Sequence, residues 1–359
     1  MPIVPVFGHD TLKAKIRQAA GRGALPSSIL IEGPRGVGKQ RLAIWIAQLL
    51  LCQGPSGADR PCLACQSCRF VDELRHPDLV WFFPRPRKEA DLEPAAVLDD
   101  YREAIAERVE HHGLYAPPSG MEGIFIGATR ALVRSASLSP TIGRRKVYVI
   151  GDAERMVSQE GSDQAANAFL KLLEEPPQDT TIILTSSEPG SLLPTIRSRV
   201  VTFRASSLPD EAIRAFLANE QVKAAVNAIE ALPRDLPGRV RFAAGAPGRL
   251  LDAESRVAAR ESARRILEAA TGKVPDRYRA AFSQSVAGAR GQFSDTLDEL
   301  TVLLHDRVRE AVEKADSSKA RAASRAIDFV EEAKLMASGN VNPQLVTASL
   351  LGRIASELR

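Results

Sequence analysis

The sequence predicts an α/β domain followed by helical units, and three observations support this fold class. A strand-like run at residues 28–32 leads into a glycine-rich loop, and a helical pattern follows at residues 40–51. Further short apolar runs alternate with helical patterns, as is typical of parallel strands that are buried on both faces. Strand patterns end near Phe203, and from there to Arg359 the pattern is helical.

Local patterns also predict the remaining strands and helices. Pro343 would lie in the first turn of the last helix, a position that proline favours. Further strands are predicted at residues 78–83, 146–150 and 181–185. Helices are predicted at residues 208–231, 236–244 and 320–336, and from Pro343 onward. One more apolar stripe at helical spacing consists of Leu297, Leu300, Leu304, Val308 and Val312.

Residues 85–123 interrupt the alternation of strands and helices. This segment is polar and rich in charge and proline, and we interpret it as an insertion. It contains one helical stripe, whose members are Val97, Tyr101, Ile105 and Val109. A helix that packs on its own domain is the expected structure, and a surface for a partner is the alternative.

The composition is that of a globular protein. The net charge of +4 permits contact with nucleic acid, but a surface of mixed charges gives the same total. No apolar run is long enough to cross a membrane, and the N-terminal residues do not form a secretory signal. We therefore expect a cytoplasmic protein without a membrane partner.

The glycine-rich loop is an incomplete P-loop. Residues 33–39, GPRGVGK, fit the first seven positions of the pattern G-x-x-x-x-G-K-[ST], but the eighth position holds Gln40. In P-loop enzymes the hydroxyl at that position binds the magnesium ion. The candidate nucleotide-binding residues are Gly33, Gly36, Gly38, Lys39 and Gln40.

A second part of the ATPase chemistry is also missing. Such enzymes place a carboxylate that organises magnesium at the end of a buried strand. Here the run at residues 147–150 is followed by Gly151, and Asp152 comes one residue late, where a strand turns its side chain to the other face. We expect slow or absent hydrolysis, while weak binding of ATP or ADP through Lys39 and the loop amides stays open.

The four cysteines of the chain fall within one short stretch. Cys62, Cys65 and Cys68 have the spacing C-x-x-C-x-x-C, and Cys52 precedes them by ten residues. Four clustered thiolates suit a closed, structural zinc site. An iron–sulfur cluster and metal-free thiols are the alternatives.

Two further motifs resemble a known family. Residues 167–177 read NAFLKLLEEPP, and residues 193–200 read LPTIRSRV. Their order after the strand at 146–150 resembles the clamp-loader branch of the AAA+ superfamily. The cysteine module is also similar to the one found in that branch, and the resemblance covers nearly the whole chain apart from residues 85–123.

The resemblance implies a three-part architecture. It would comprise a RecA-like AAA+ domain at residues 1–206, a small helical lid at 207–249 and an all-α collar at 250–359. The zinc module would occupy residues 52–68 of the first domain. The collar would join a ring of five subunits.

The resemblance also implies a function. The degenerate ATPase motifs indicate a stator, a scaffold subunit that is itself a poor or inactive ATPase. Its partners would be the gamma/tau motor and delta subunits in a hetero-pentameric ring of the DNA polymerase III holoenzyme, with the sliding clamp and primed DNA reached through that complex. An active ATPase motor of the same ring is one alternative, and a zinc-containing DNA-binding protein that acts alone is another.

One arginine gains a role from the resemblance. Arg199 follows Ser198 in a motif whose arginine reaches the ATP of a neighbouring subunit, with Val200 in place of the family's cysteine. Such a guanidinium stabilises charge on the transferred phosphoryl group. A surface ion pair is the alternative for Arg199. Arg249 lies one residue beyond the family's second sensor position, so it receives no nucleotide role.

Overall fold

The computed structural model describes residues 2–55, 60–86, 93–116, 122–156, 163–283, 290–338 and 341–358. These residues form two compact units, one ending at Leu251 and the other beginning at Asp252. The division of the first unit into an AAA+ domain and a lid stays a prediction. Among the described residues, no helix is long and apolar enough to cross a membrane.

A parallel sheet forms the centre of the first unit. In the described part of the chain it has five strands in the order β2-β3-β4-β1-β5, so that β1 lies between β4 and β5. The carboxyl ends of parallel strands meet at one edge, where open α/β sheets bind ligands. The strands are β1 (Ser28–Glu32), β2 (Leu79–Phe82), β3 (Lys146–Ile150), β4 (Thr180–Ser186) and β5 (Val201–Arg204).

The sequence correctly predicts four of these strands. β1 and β3 have the predicted bounds, β2 is shorter by one residue at each end, and β4 is longer by one residue at each end. The strand β5 is missing from the prediction. Most of its side chains are exposed, so it lacks the apolar run that identifies the buried strands.

Helices cover the sheet and extend the first unit. Residues 208–231, predicted as one helical stretch, form two helices because Asn219 caps the second through the N–H groups of Gln221 and Val222. The helices are α1 (Asp10–Gly21), α2 (Lys39–Leu51), α3 (Gln66–Asp72), α4 (Pro94–Glu110), α5 (Ile126–Ala136), α6 (Asp163–Glu174), α7 (Pro194–Arg197), α8 (Asp210–Ala218), α9 (Glu220–Asn227) and α10 (Leu236–Ala243).

The insertion helix α4 packs on its own domain, as expected. Val97, Tyr101 and Ala104 are buried in the main hydrophobic core, and Ile105 and Val109 pack against it. The ends of the insertion meet through two backbone hydrogen bonds between Arg85 and Gly123, of 2.9 and 3.0 Å.

The second unit is helical throughout its described residues. Leu297, Leu300 and Leu304 of the predicted stripe are fully buried. The stripe prediction is wrong at Val312, which is 64% exposed, while Ala311 is buried. The helices are α11 (Ala253–Thr271), α12 (Val274–Phe282), α13 (Arg290–Glu313), α14 (Ser317–Ser338) and α15 (Pro343–Leu358).

Candidate functional site

The glycine-rich loop lies between β1 and α2, at the carboxyl edge of the sheet. Gly33, Gly36 and Gly38 have φ angles of 155°, 84° and 94°, which disfavour other residues. At Gly33 a Cβ atom would also lie only 2.0 Å from the carbonyl oxygen of Ala205. The three glycines therefore allow the loop to reach the first turn of α2 in this conformation.

The P-loop lysine binds groups of its own chain. Lys39 is buried, and its Nζ donates to the carbonyl oxygens of Gly33 and Pro34, both at 2.9 Å, and to Oγ of Ser187 at 2.8 Å. An ammonium group has three donors. These three acceptors match that number, so Lys39 holds the loop to the end of β4.

The other serine at the end of β4 has a different partner. Ser186 is fully buried, and its Oγ accepts a hydrogen bond of 3.1 Å from the N–H of Glu188. Ser187 is therefore the residue at this strand end whose hydroxyl contacts the P-loop, and Ser186 is a satisfied core hydroxyl.

Gln40 forms a small network at the start of α2. Its Oε1 accepts hydrogen bonds from Nε1 of Trp81 and the hydroxyl of Tyr115, both at 3.1 Å. Its Nε2 donates to Oδ2 of Asp152 at 2.9 Å. The amide is therefore held from three directions, by β2, the insertion and the turn after β3.

Gly151 lies directly against this amide. A Cβ atom at residue 151 would be 2.3 Å from Oε1 of Gln40, well inside the contact distance of real atoms. The two departures from the ATPase pattern, at residues 40 and 151, are therefore two sides of one packing contact. The carboxylate of Asp152 faces Gln40 and serves as its hydrogen-bond acceptor.

Glu154 adds a buried acid that the sequence patterns did not identify as a site residue. Its Oε1 accepts a hydrogen bond of 2.9 Å from the N–H of Ser187. Burial, reinforced by the nearby charge of Asp152, raises the pKa of Glu154 to about 7 despite this bond and the charge of Lys39. The acid thus titrates near neutral pH at the carboxyl edge of the sheet.

The backbone after α10 contacts the tip of the P-loop. The N–H of Gly248 donates to the carbonyl of Gly36 at 2.9 Å. A Cβ at Gly248 would lie 2.9 Å from Cα of Gly36, so the two segments touch through their main chains. Arg249 is buried and follows this contact.

Arg199 lies just after α7, away from the P-loop in sequence. Its guanidinium pairs with Glu174, at the end of α6, and donates to the carbonyl of Thr195 at 2.8 Å and to Oγ of Ser198 at 3.3 Å. The side chain of Arg199 is 29% exposed. The alternative of a surface ion pair is therefore observed in the isolated chain.

The four cysteines converge as the spacing predicts. Their Sγ atoms all lie within 4.8 Å of one another. A tetrahedral zinc ion with Zn–S bonds of about 2.3 Å places its sulfurs about 3.8 Å apart. Cys52, Cys62, Cys65 and Cys68 can therefore bind a metal ion, and the cluster is compatible with structural zinc.

Backbone N–H groups donate hydrogen bonds to the cysteine sulfur atoms. The N–H groups of Cys62, Cys65 and Cys68 donate to the sulfurs of Cys52, Cys62 and Cys65, each at 3.4 Å. The N–H groups of Ala64 and Cys65 lower the pKa of the Cys62 thiol to about 6, whereas burial raises that of Cys68. Stabilised thiolates favour metal binding, since the thiolate is the ligand form.

Comparisons with known proteins match the chain to a DNA polymerase III subunit family. A family model described as DNA polymerase III, delta subunit, matches residues 8–209. DNA polymerase III subunit delta' of Pseudomonas aeruginosa is 33% identical over 195 residues, 54% of this chain and 47% of that protein. The Escherichia coli delta' is 27% identical over 247 residues, 69% of this chain and 59% of that protein.

Tau subunits match at a similar level. The tau subunit of Escherichia coli is 27% identical over 242 residues, 66% of this chain and 31% of that protein. These matches span between about a third and three fifths of the relatives' lengths. A gamma subunit-related protein of Thermotoga maritima aligns with 96% of this chain and 99% of its own, at 17% identity and a TM-score of 0.38.

The cysteine cluster predicts metal content. We expect elemental analysis of the purified chain to find about one zinc per chain. Replacement Cys65→Ser should remove the metal and lower the melting temperature of the first unit, because the ion joins the residue after α2 to the short segment that carries the other three cysteines. The melting can be followed by tryptophan fluorescence, since Trp45 and Trp81, the two tryptophans of the sequence, are both in that unit.

The control for this experiment is Ala64→Ser, which adds a hydroxyl at an exposed position of the module and keeps all four thiols. Metal content and melting should stay unchanged in this variant. Iron in place of zinc, or a chain that is fully stable and free of metal, would contradict the assignment.

The raised pKa of Glu154 predicts a pH-dependent stability. Because its folded pKa of about 7 exceeds the ordinary value, the folded chain binds more protons, and this acid destabilises the fold as pH rises from about 4.3 to 7. The Glu154→Gln variant should therefore gain stability relative to wild type between pH 5 and pH 8, by up to about 3 kcal/mol in the free energy of unfolding.

Urea unfolding at the two pH values measures this difference. Glu175→Gln, at an exposed position of the same chain, is the control and should show a constant difference from wild type. An equally constant difference for Glu154→Gln would show that the acid does not titrate in this range.

Proposed function

The chain belongs to the DNA polymerase III delta-subunit family, and from this we propose that it is a clamp-loader subunit of the delta-prime, or stator, type. It would help load the sliding clamp onto primed DNA during replication. It would assemble with gamma/tau motor and delta subunits in a hetero-pentameric ring. Its own ATP hydrolysis would be negligible.

The contact between Gln40 and Gly151 carries this proposal. P-loop enzymes organise magnesium with the hydroxyl after the P-loop lysine and with a carboxylate at the end of a neighbouring strand. Here residue 40 has an amide, and the space next to residue 151 is filled by that amide. A carboxylate cannot be placed there without moving Gln40, which supports a role other than that of the motor.

The alternative is an active motor of the same ring. Its basis is the tau match of 27%, equal to the identity with the Escherichia coli delta'. The motor role requires both magnesium-organising groups. Their joint loss at residues 40 and 151 favours the stator.

Arg199 would be this subunit's contribution to catalysis in the ring. Its guanidinium is partly exposed and follows Ser198 in the Ser-Arg motif. On assembly it would exchange Glu174 for the phosphates of a neighbour's ATP, where a planar guanidinium stabilises the charge of the transferred phosphoryl group. Ser198, whose Oγ contacts the guanidinium, would help to orient it.

The remaining parts would act in assembly. The cysteine module would hold a structural zinc ion next to α2, and residues 207–249 would form the lid of the AAA+ domain. The helices beyond residue 250 would form the collar that joins the ring. Contacts with the clamp and DNA would be made by the complex as a whole.

We expect the isolated chain and the assembled ring to differ in ATP turnover. The purified chain should hydrolyse no measurable ATP. The variant Arg199→Ala should still assemble but should slow hydrolysis at the interface that it serves by at least about tenfold, since an arginine finger is worth about 10³- to 10⁵-fold at its own site. Phosphate release under single-turnover conditions measures this.

Two variants control the experiment. Arg197→Ala removes an equal charge from an exposed position in α7 and should leave turnover unchanged. Arg199→Lys keeps the charge but loses the planar fork and should remain slow. Robust hydrolysis by the isolated chain would refute the stator role, and normal turnover with Arg199→Ala would refute the role of the arginine.

A further inference from the structure

The insertion reaches the start of α2 through the turn that follows α4. Gly113 in this turn has φ of 70°, and its carbonyl accepts a hydrogen bond of 2.8 Å from Nη2 of Arg41. A Cβ atom at Gly113 would lie 2.2 Å from that nitrogen. The turn therefore fits closely against the residue that follows Gln40.

Tyr115 extends this contact to Gln40 itself. Its ring packs on the guanidinium of Arg108, at 3.8 Å from the ring centroid, and Arg108 also lies 4.6 Å from the ring centroid of Trp81. The hydroxyl of Tyr115 and the indole N–H of Trp81 donate to the same oxygen of Gln40. The aromatic–guanidinium stack thus fixes two donors on one amide oxygen.

The orientation of the amide follows from these donors. With Oε1 held by Trp81 and Tyr115, Nε2 is directed to Asp152, its acceptor at 2.9 Å. A flipped amide would place its NH₂ group against the indole N–H of Trp81 and its oxygen against the carboxylate of Asp152, so it is disfavoured. The observed orientation puts the oxygen 2.3 Å from the position of a Cβ at Gly151.

The backbone of Gly151 does not itself demand glycine. Its φ is outside the left-handed region that characterises Gly33, Gly36 and Gly38. The three atoms nearest to a Cβ at this position all belong to the amide of Gln40. A side chain at residue 151 would therefore have to displace the Gln40 amide, whereas the chain conformation itself would accept it.

A magnesium nucleotide, which a P-loop of this fold would ordinarily bind, does not fit these residues. The three donors of Lys39 already match three acceptors of the chain itself. Gln40 fills the space next to residue 151, where the carboxylate that organises the metal would begin. The magnesium nucleotide is therefore disfavoured for two reasons: ligands for the metal are missing, and Gln40 occupies the space beside residue 151.

From this geometry we infer that residues 108–115 of the insertion act as a built-in plug of the P-loop site. Tyr115, supported by Arg108, clamps the amide of Gln40 into the position that a divalent cation and its carboxylate ligand need. The insertion thereby excludes magnesium nucleotides from this subunit. This inference deepens the proposed function, because a stator needs no nucleotide of its own, yet it concerns contacts within the isolated chain and is testable there.

A double-mutant cycle between residues 40 and 151 tests the plug. In the wild-type background Gly151→Ala should lower the melting temperature of the first unit by roughly 3 to 10 °C, as expected for overpacking. In the Gln40→Ala background the same substitution should be neutral or should raise the melting temperature, because the new methyl group enters vacated space. Tryptophan fluorescence of the full chain measures both.

The control for the cycle is Gly127→Ala in α5, where a Cβ would lie 3.4 Å from a methyl group of Val97 and would not reach Gln40. Its effect should be the same in both backgrounds. If Gly151→Ala alone fails to fold, folding of the double variant supports the plug. Equal losses from Gly151→Ala in both backgrounds, or failure of the double variant to fold, would overturn it.

A second cycle tests the part played by the insertion. Tyr115→Phe keeps the ring stack and removes only the hydroxyl, so it should lower the melting temperature in wild type and have less effect in Gln40→Ala. The matched control is Tyr101→Phe, which removes a hydroxyl that donates to the carbonyl of Phe83. Its effect on the melting temperature should be the same in both backgrounds. Equal effects of Tyr115→Phe in both backgrounds would show that the insertion does not hold the Gln40 amide in place.

These outcomes separate the plug from the stator role. Both cycles use the isolated chain and report packing alone. A failed cycle would leave the ATPase tests in the ring unaffected, and robust hydrolysis by the isolated chain would refute the stator role whatever the cycles show.

Discussion

The packing of the Gln40 amide against Gly151 is the contact on which the site depends. A P-loop enzyme leaves the space beside residue 151 for a metal ion and a carboxylate, whereas here an amide group occupies it. With the amide there, a side chain at residue 151 would have to displace it, and the carboxylate of Asp152 is the hydrogen-bond acceptor of that amide. A change at either residue therefore has consequences for the other.

The fold explains how residues distant in sequence meet at this space. In the parallel sheet, β1, β3 and β4 end at one edge, which brings together the P-loop, the turn at Gly151 and Ser187. Lys39 joins the first of these to the last. The glycine loop can thus be retained for its structure: it connects β1 to α2, and its lysine ammonium is bound by the chain itself.

Sequence patterns predicted the main fold and part of the site. Buried strands, the P-loop and the cysteine spacing all produce local signals, and the structure contains them. The strand β5 was not predicted because most of its side chains are exposed and it therefore lacks a continuous apolar run. Val312 was misplaced because a helical stripe does not show where the packed face ends.

The interactions at the site were harder to predict. Gln40 and Gly151 were each recognised as departures from the ATPase pattern, but their contact joins residues more than a hundred positions apart. Tyr115 lies in a polar insertion without a motif, and nothing in its local sequence indicates a contact with Gln40. The burial that raises the pKa of Glu154 also depends on tertiary packing.

A plugged P-loop should be closed to magnesium nucleotides. Isothermal titration of the isolated, zinc-loaded chain with ADP, in the presence and absence of magnesium, measures this. We expect no saturable binding up to about 1 mM ADP under either condition, corresponding to a binding free energy weaker than about −4 kcal/mol. Stoichiometric, magnesium-dependent binding with a Kd of about 1 μM would contradict it.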